Sequence, residues 1–187
     1  MPKKILYINA CVRKNSRTKR LADHLVSCLD GETEELRLED VDFGVSDEHF
    51  ISERDRLLAA DAYDHPMFSL ARSFASADLI VVAAPFWDLS FPAALKQYFE
   101  QINVVGVTFR YTESGDPQGL CKAKKLYYVT TAGGTIYSDA YGYGYVKALA
   151  QTFYGIPETE MISAEDLDIV GADVEAILQD AIRKIRV

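Results

Sequence analysis

A chain of 187 residues, 49% apolar and 26% charged, has the size of one domain and can bury a core without disulfides or metals. No stretch approaches the roughly 20 apolar residues of a membrane span, which excludes a membrane protein. The net charge of −8 opposes binding to nucleic acid or anionic membranes, both of which need a basic face, so the expected partner is a small molecule.

From Met1-Pro2-Lys3-Lys4 the chain runs straight into the apolar stretch Ile5 to Ile8, with no long apolar segment and no small-residue cleavage site. No export signal is read, and the cytoplasm is the expected location. Ile5 to Ile8 predicts the first strand. Leu21, Leu25, Val26 and Leu29 then recur at helical spacing, in a helix that begins near Thr18. Glu35 to Leu38 is a weaker second strand. Asp42 to Asp64 is acidic and irregular and reads as a connection to a helix around Phe68 to Ala77.

Leu79 to Ala84 is the most apolar strand, followed by a helix carrying Leu95, Tyr98, Phe99 and Ile102. Leu126 to Thr131 and Glu160 to Ser163 give the fourth and fifth strands. A closing helix from Ala172 to Ile185 places Val174, Ile177, Leu178, Ala181 and Ile185 on one stripe. Short continuous apolar runs suit strands buried on both faces. Their alternation with helices predicts an α/β domain over 1–187, with a parallel sheet covered on both sides.

Cys11, Cys28 and Cys121 are odd in number and lack C-x-x-C spacing, so they are expected as reduced thiols rather than a disulfide framework or zinc site. His24, His49 and His65 show no metal-ligand spacing either, and no metal is expected.

In an open doubly wound sheet, ligands bind outside the carboxyl ends of the strands, near the reversal of strand order. Three loops share that address. The first, Ala10 to Thr18, offers hydroxyls on Ser16 and Thr18, cations, and free N–H groups at a helix N-terminus, which together suit a phosphate monoester. Ser16 reads equally well as a simple helix cap. The loop lacks the glycine patterns of a P-loop or a dinucleotide fold. The second loop, Pro85-Phe86-Trp87-Asp88-Leu89-Ser90-Phe91-Pro92, places the single tryptophan directly after the most apolar strand. Its aromatics either cover the sheet edge or receive a flat ring such as an isoalloxazine. The third loop, Thr130-Thr131-Ala132-Gly133-Gly134, carries paired glycines that let backbone approach a planar ligand, or simply turn the chain. Tyr137, in the Tyr- and Gly-rich stretch that follows, is the candidate to line a substrate pocket.

At these loops the sequence resembles the FMN-dependent NADH:quinone oxidoreductase and azoreductase family, within the flavodoxin-like flavoproteins. The run Pro85-Phe-Trp-Asp-Leu-Ser-Phe-Pro-Ala-Ala-Leu-Lys-Gln-Tyr-Phe resembles that family's P-x-[YW]-N-F-x-[IV]-P-x-x-L-K-x-[YW]-[IF]. Gly106-Val-Thr-Phe-Arg-Tyr-Thr-Glu-Ser-Gly resembles its G-x-T-F-x-Y-T-x-x-G. Thr131-Ala132-Gly133-Gly134 stands where the family has S-R-G-G, and Thr152-Phe-Tyr-Gly-Ile resembles its F-x-G-[IF] segment.

The resemblance implies a flavodoxin-like three-layer sandwich with a five-stranded parallel sheet of order 2-1-3-4-5, assembled as a homodimer. It implies FMN as cofactor, NADH or NADPH as electron donor, and quinones, azo or nitro compounds as acceptors in a two-electron ping-pong reaction. Cys11, Ser16, Arg17 and Thr18 would surround the phosphate. Pro85, Phe86, Trp87, Asp88 and Leu89, with Thr131, Ala132, Gly133 and Gly134, would cradle the ring. Gly106 to Gly115 would form a β excursion reaching toward the partner subunit.

Three positions depart from the family pattern. Asp88 replaces an Asn, Cys11 stands where Ser is common, and Ala132 replaces the Arg of S-R-G-G. A carboxylate close to the flavin would disfavour its anionic reduced form and lower the potential, whereas a backbone contact at Asp88 would change little. The rival reading is a flavodoxin-like electron-transfer or flavin-binding protein without nicotinamide turnover of its own.

Overall fold

The computed structural model describes residues 2–187. Five parallel strands form one sheet: β1 (Lys4–Asn9), β2 (Glu32–Arg37), β3 (Leu79–Ala83), β6 (Lys125–Thr131) and β7 (Glu158–Ala164), in the order β2-β1-β3-β6-β7. This is the expected 2-1-3-4-5 order, with an antiparallel hairpin, β4 (Phe109–Tyr111) and β5 (Pro117–Gly119), inserted before the fourth strand of the sheet. The helices are α1 (Arg17–Cys28), α2 (Glu48–Ala59), α3 (Ser69–Ser76), α4 (Ala93–Ile102), α5 (Tyr143–Leu149) and α6 (Val174–Lys184).

The apolar runs are continuous because the sheet is buried on both faces, and successive side chains alternate between two cores. Ile5, Tyr7, Val81, Ala83, Tyr127 and Val129 pack under Leu21, Ala22 and Leu25 of α1 and Leu178 and Ala181 of α6. Leu6, Ile8, Ile80, Val82, Leu126 and Tyr128 face the other layer. There Phe74 of α3, Tyr98 and Phe99 of α4, and Tyr154 of the π-helical turn after α5 form an aromatic cluster. Phe74 meets Tyr154 edge-on at 4.8 Å between centroids.

Two segments differ from the sequence expectation. The second strand covers Glu32–Arg37 rather than Glu35 to Leu38, pairing from Lys4↔Glu32 to Asn9↔Arg37. It is an edge strand, largely exposed and acidic, so backbone pairing rather than an apolar run places it, and its charges discourage further strand addition. The stretch Asp42 to Asp64 is not irregular throughout: it holds α2. Asp47 caps that helix, its carboxylate accepting from Phe50 N at 2.9 Å. Leu57 is the one residue of α2 that is fully buried, so no apolar stripe reveals it.

Candidate active site

The order reversal falls at β1, and the loops after β1 and β3 open at the same edge of the sheet as those after β6 and β7. The first loop leaves β1 at Asn9, which is buried. Its Oδ1 accepts from Cys11 N at 2.9 Å while its Nδ2 donates to Glu35 Oε1 at 2.8 Å, fixing the chain's exit. Ser16 then caps α1, its Oγ accepting from Lys19 N at 3.2 Å. The amides of Arg17 and Thr18 donate to no protein acceptor among the described residues. These are the orphan donors of a helix N-terminus, and they open toward the cavity described below. Ser16 therefore caps the helix and also lines that cavity.

The second loop turns sharply. Trp87 N donates to Ser90 O at 3.0 Å and Ser90 N returns the bond to Trp87 O at 2.8 Å. Asp88 and Leu89 between them lie at φ +50° and +67°, a two-residue turn of the type that needs positive φ at both positions. Aspartate tolerates the left-handed region much as asparagine does. The exchange of Asn for Asp at 88 thus preserves the turn. Leu89 has no such tolerance and carries about 1 kcal/mol of local strain.

The third loop is tied to both others. Phe86 N donates to Thr131 O at 3.0 Å, and the hydroxyls of Thr18 and Thr131 meet at 2.7 Å, both buried. A fourth loop, after β7, closes the floor: Leu167 N donates to Ala132 O and Asp168 N to Gly133 O at 2.8 Å. Arg17 bridges back to this loop, donating to Asp168 Oδ1 at 2.7 Å and Leu167 O at 3.4 Å.

The result is one cavity of about 330 Å³, within the range of small-molecule sites. Ser16, Arg17, Thr18, Pro85, Phe86, Trp87, Thr131, Ala132 and Gly133 line it, with Val12, Arg13, Asn15, Leu167 and Asp168. Asp88, Leu89 and Gly134 adjoin lining residues in sequence but do not line it, and the side chains of Asp88 and Leu89 are exposed. Tyr137 is 92% exposed and stands clear of the cavity. The 135–142 loop is nevertheless tied to the second loop, since Ser90 Oγ donates to Tyr141 O at 2.6 Å.

Cys11 turns its side chain away from the cavity, into the core beneath α1, with Sγ 3.9 Å from Ala83 O. Leu167 and Asp168 were not legible from any motif. The only signal was their place just past the last strand, at the same carboxyl edge.

The donor set fits a mononucleotide. Free amides and a hydroxyl at the α1 terminus suit its phosphate. Phe86, Trp87 and the amides of Gly133 and Gly134, which donate to no protein acceptor among the described residues, suit a flat ring with hydrogen-bonding edges.

A family model for the flavodoxin-like fold matches residues 3–187. The FMN-dependent NADH:quinone oxidoreductase of Coprothermobacter proteolyticus is 35% identical, covering 97% of this chain and 95% of the relative. A second enzyme of that name, from Clostridium acetobutylicum, is 36% identical over 98% and 96% of the two chains. The chain belongs to the FMN-dependent NADH:quinone oxidoreductase family.

Solved structures agree on the fold of this oxidoreductase. An azoreductase from Bacillus anthracis str. Sterne superposes with a TM-score of 0.83 at 22% identity, covering 97% of this chain and 96% of that one. An FMN-dependent NADH-azoreductase from Bacillus anthracis str. Ames Ancestor, in complex with FMN, gives 0.80 at 24% identity, with 97% and 95% covered.

The oxidoreductase's thiols differ sharply in environment. Burial pushes the Cys11 thiol up to about 11 and the Cys121 thiol to about 12, whereas Cys28 is exposed. Since the thiolate is the reactive form, titration with an aromatic disulfide at pH 8 should modify Cys28 alone in the folded protein and all three after unfolding. Rapid modification of Cys11 at that pH would contradict its placement in the core.

Proposed function

We propose that the cavity seats FMN and that the protein passes two electrons from NADH or NADPH to quinones, with azo and nitro compounds as further acceptors. The observation that carries this reading is the single cavity in which a helix terminus with free amides faces an aromatic turn, the two locked together through Thr18 and Thr131. The names of the relatives support it over an electron carrier without donor turnover.

Bound FMN supplies the redox chemistry, and the protein binds, orients and shields it. The Arg17 and Thr18 amides and the Ser16 hydroxyl hold the phosphate. Asp168 keeps the Arg17 guanidinium beside it. Pro85, Phe86 and Trp87 cover one side of the ring and exclude water. Asp88, Leu89, Gly133 and Gly134 contribute through backbone, and Ala132 leaves space where the family pattern has an arginine. Cys11 supports the phosphate loop from below.

A working homodimer is the second part of the proposal, supported by exposed apolar side chains at Trp87 and Leu89 of the second loop and at Tyr137 and Tyr141 of the 135–142 loop tied to it. A cytoplasmic, single-domain enzyme is consistent with three free thiols.

Steady-state kinetics of the FMN-loaded protein with NADH and a benzoquinone test the reading. Parallel double-reciprocal lines are expected. FMN-loaded protein that leaves NADH unoxidised with the quinone present would favour the carrier instead.

A further inference from the structure

A second groove, of about 310 Å³, runs beside the flavin cavity and shares Val12 and Arg13 with it. Four cations face it: Arg13, Lys14, Lys19 and Arg37. Two are already committed. Lys19 pairs with Asp23 at 2.7 Å and Glu35 at 3.5 Å, and Arg37 pairs with Glu39 and with Asp40 at 3.3 Å. Along the same helix Arg17 is held by Asp168 and Arg20 by Glu175. Arg13 and Lys14 have no carboxylate in ion-pair range among the described residues. They stand adjacent on one loop, and the amides of Val12, Arg13 and Lys14 donate to no protein acceptor among the described residues. In a chain of net charge −8, this is a local anion-attracting patch of two cations and three free amides at the cavity's mouth.

We propose that this groove takes the pyrophosphate of the nicotinamide dinucleotide donor, on Arg13 and Lys14. In the proposed seating the flavin phosphate lies at the α1 terminus, on the far side of the shared wall, which leaves Arg13 and Lys14 uncommitted. A donor whose nicotinamide enters the flavin cavity must lay its two remaining charges outside it, within reach. The groove adjoins the cavity across Val12 and Arg13, and its unpaired cations match a pyrophosphate diester better than a quinone, which carries no charge to engage them. The amides supply hydrogen bonds that a point charge alone does not. The inference deepens the proposed function and rests on its assignment of a nicotinamide donor.

The test uses the FMN-loaded R13A/K14A protein beside the parent. ADP-ribose, which carries the pyrophosphate without the nicotinamide, is the probe, titrated by calorimetry at fixed ionic strength. Its Kd is expected to rise about tenfold, with KM for NADH rising in parallel and more steeply than kcat falls. The parent's ADP-ribose affinity should fall with added salt, and the double variant's should fall less. Unchanged ADP-ribose binding would overturn the proposal. So would a loss of FMN affinity in place of ADP-ribose affinity, which would assign the two cations to the flavin phosphate. If NADH never reduces the flavin yet ADP-ribose still binds through Arg13 and Lys14, the donor reading fails and the anion groove stands.

Discussion

A Ser16→Asp protein is expected to fold as stably as its parent and to bind FMN about a hundredfold more weakly. Ser16 is the N-cap of α1, its backbone extended at φ −65° and ψ 125° and its Oγ accepting from Lys19 N. Aspartate caps as well as serine and complements the positive end of the helix dipole, so folding stability should stay within about 0.5 kcal/mol. The cavity, however, would then hold a carboxylate beside the proposed phosphate position. Like charges about 5 Å apart at an effective dielectric near 20 repel by about 3 kcal/mol, which is about a hundredfold in Kd. Ser16→Asn is the control, with the same cap and no charge, and should bind FMN within a few-fold of the parent. Fluorescence titration of FMN against the three proteins makes the comparison. Equal affinity for the Asp and Asn variants would mean that the phosphate lies away from the α1 terminus.

Gly119→Ala is expected to destabilise the fold by about 3 kcal/mol and to leave FMN affinity unchanged. Gly119 ends β5, where a Cβ would fall onto the backbone of Tyr154 and Gly155. Gly155 itself ends the π-helical turn at φ +70° and packs back against Gly119. Neither backbone can yield without shifting the hairpin, which is anchored from both sides. Leu120 N donates to Thr108 O at 2.9 Å, Thr108 Oγ1 to Ile102 O at 2.6 Å, and Phe109 stacks edge-on with Phe153 at 4.8 Å. For a protein of this size the cost corresponds to a Tm lower by roughly 10 °C. Gly115→Ala, at φ +87° with open space around it, should cost only about 1 kcal/mol. Calorimetry that ranked the two variants equally would contradict the tight crossing. Neither glycine lines the flavin cavity, so the effect is one of folding rather than of the site.

The strands legible in the sequence are those buried on both faces. β1, β3 and β6 announce themselves as apolar runs because each residue must satisfy one core or the other. β2 does not, since an edge strand is specified by its backbone partner, and this one carries the exposed Glu32, Glu34 and Glu35. α2 escaped because an amphipathic signal needs a buried stripe, and α2 buries mainly Leu57.

At the site, single-loop chemistry was readable: hydroxyls before a helix, aromatics after a strand, paired glycines. What joins the loops was not. The Thr18–Thr131 hydroxyl bond and the Arg17–Asp168 ion pair link residues more than a hundred positions apart, and no local pattern encodes them. Asp88 shows the limit from the other side. The sequence raised the question of its charge, while the backbone at φ +50° explains why an acidic residue is acceptable there.

The most direct measurement is the visible spectrum of the purified protein, incubated with FMN, freed of excess, and then given NADH without oxygen. The structure predicts retained flavin whose absorbance near 450 nm bleaches on mixing and returns when a quinone is added. A protein that retains no flavin would contradict the account at its root, and retained flavin that NADH leaves oxidised would contradict the oxidoreductase reading.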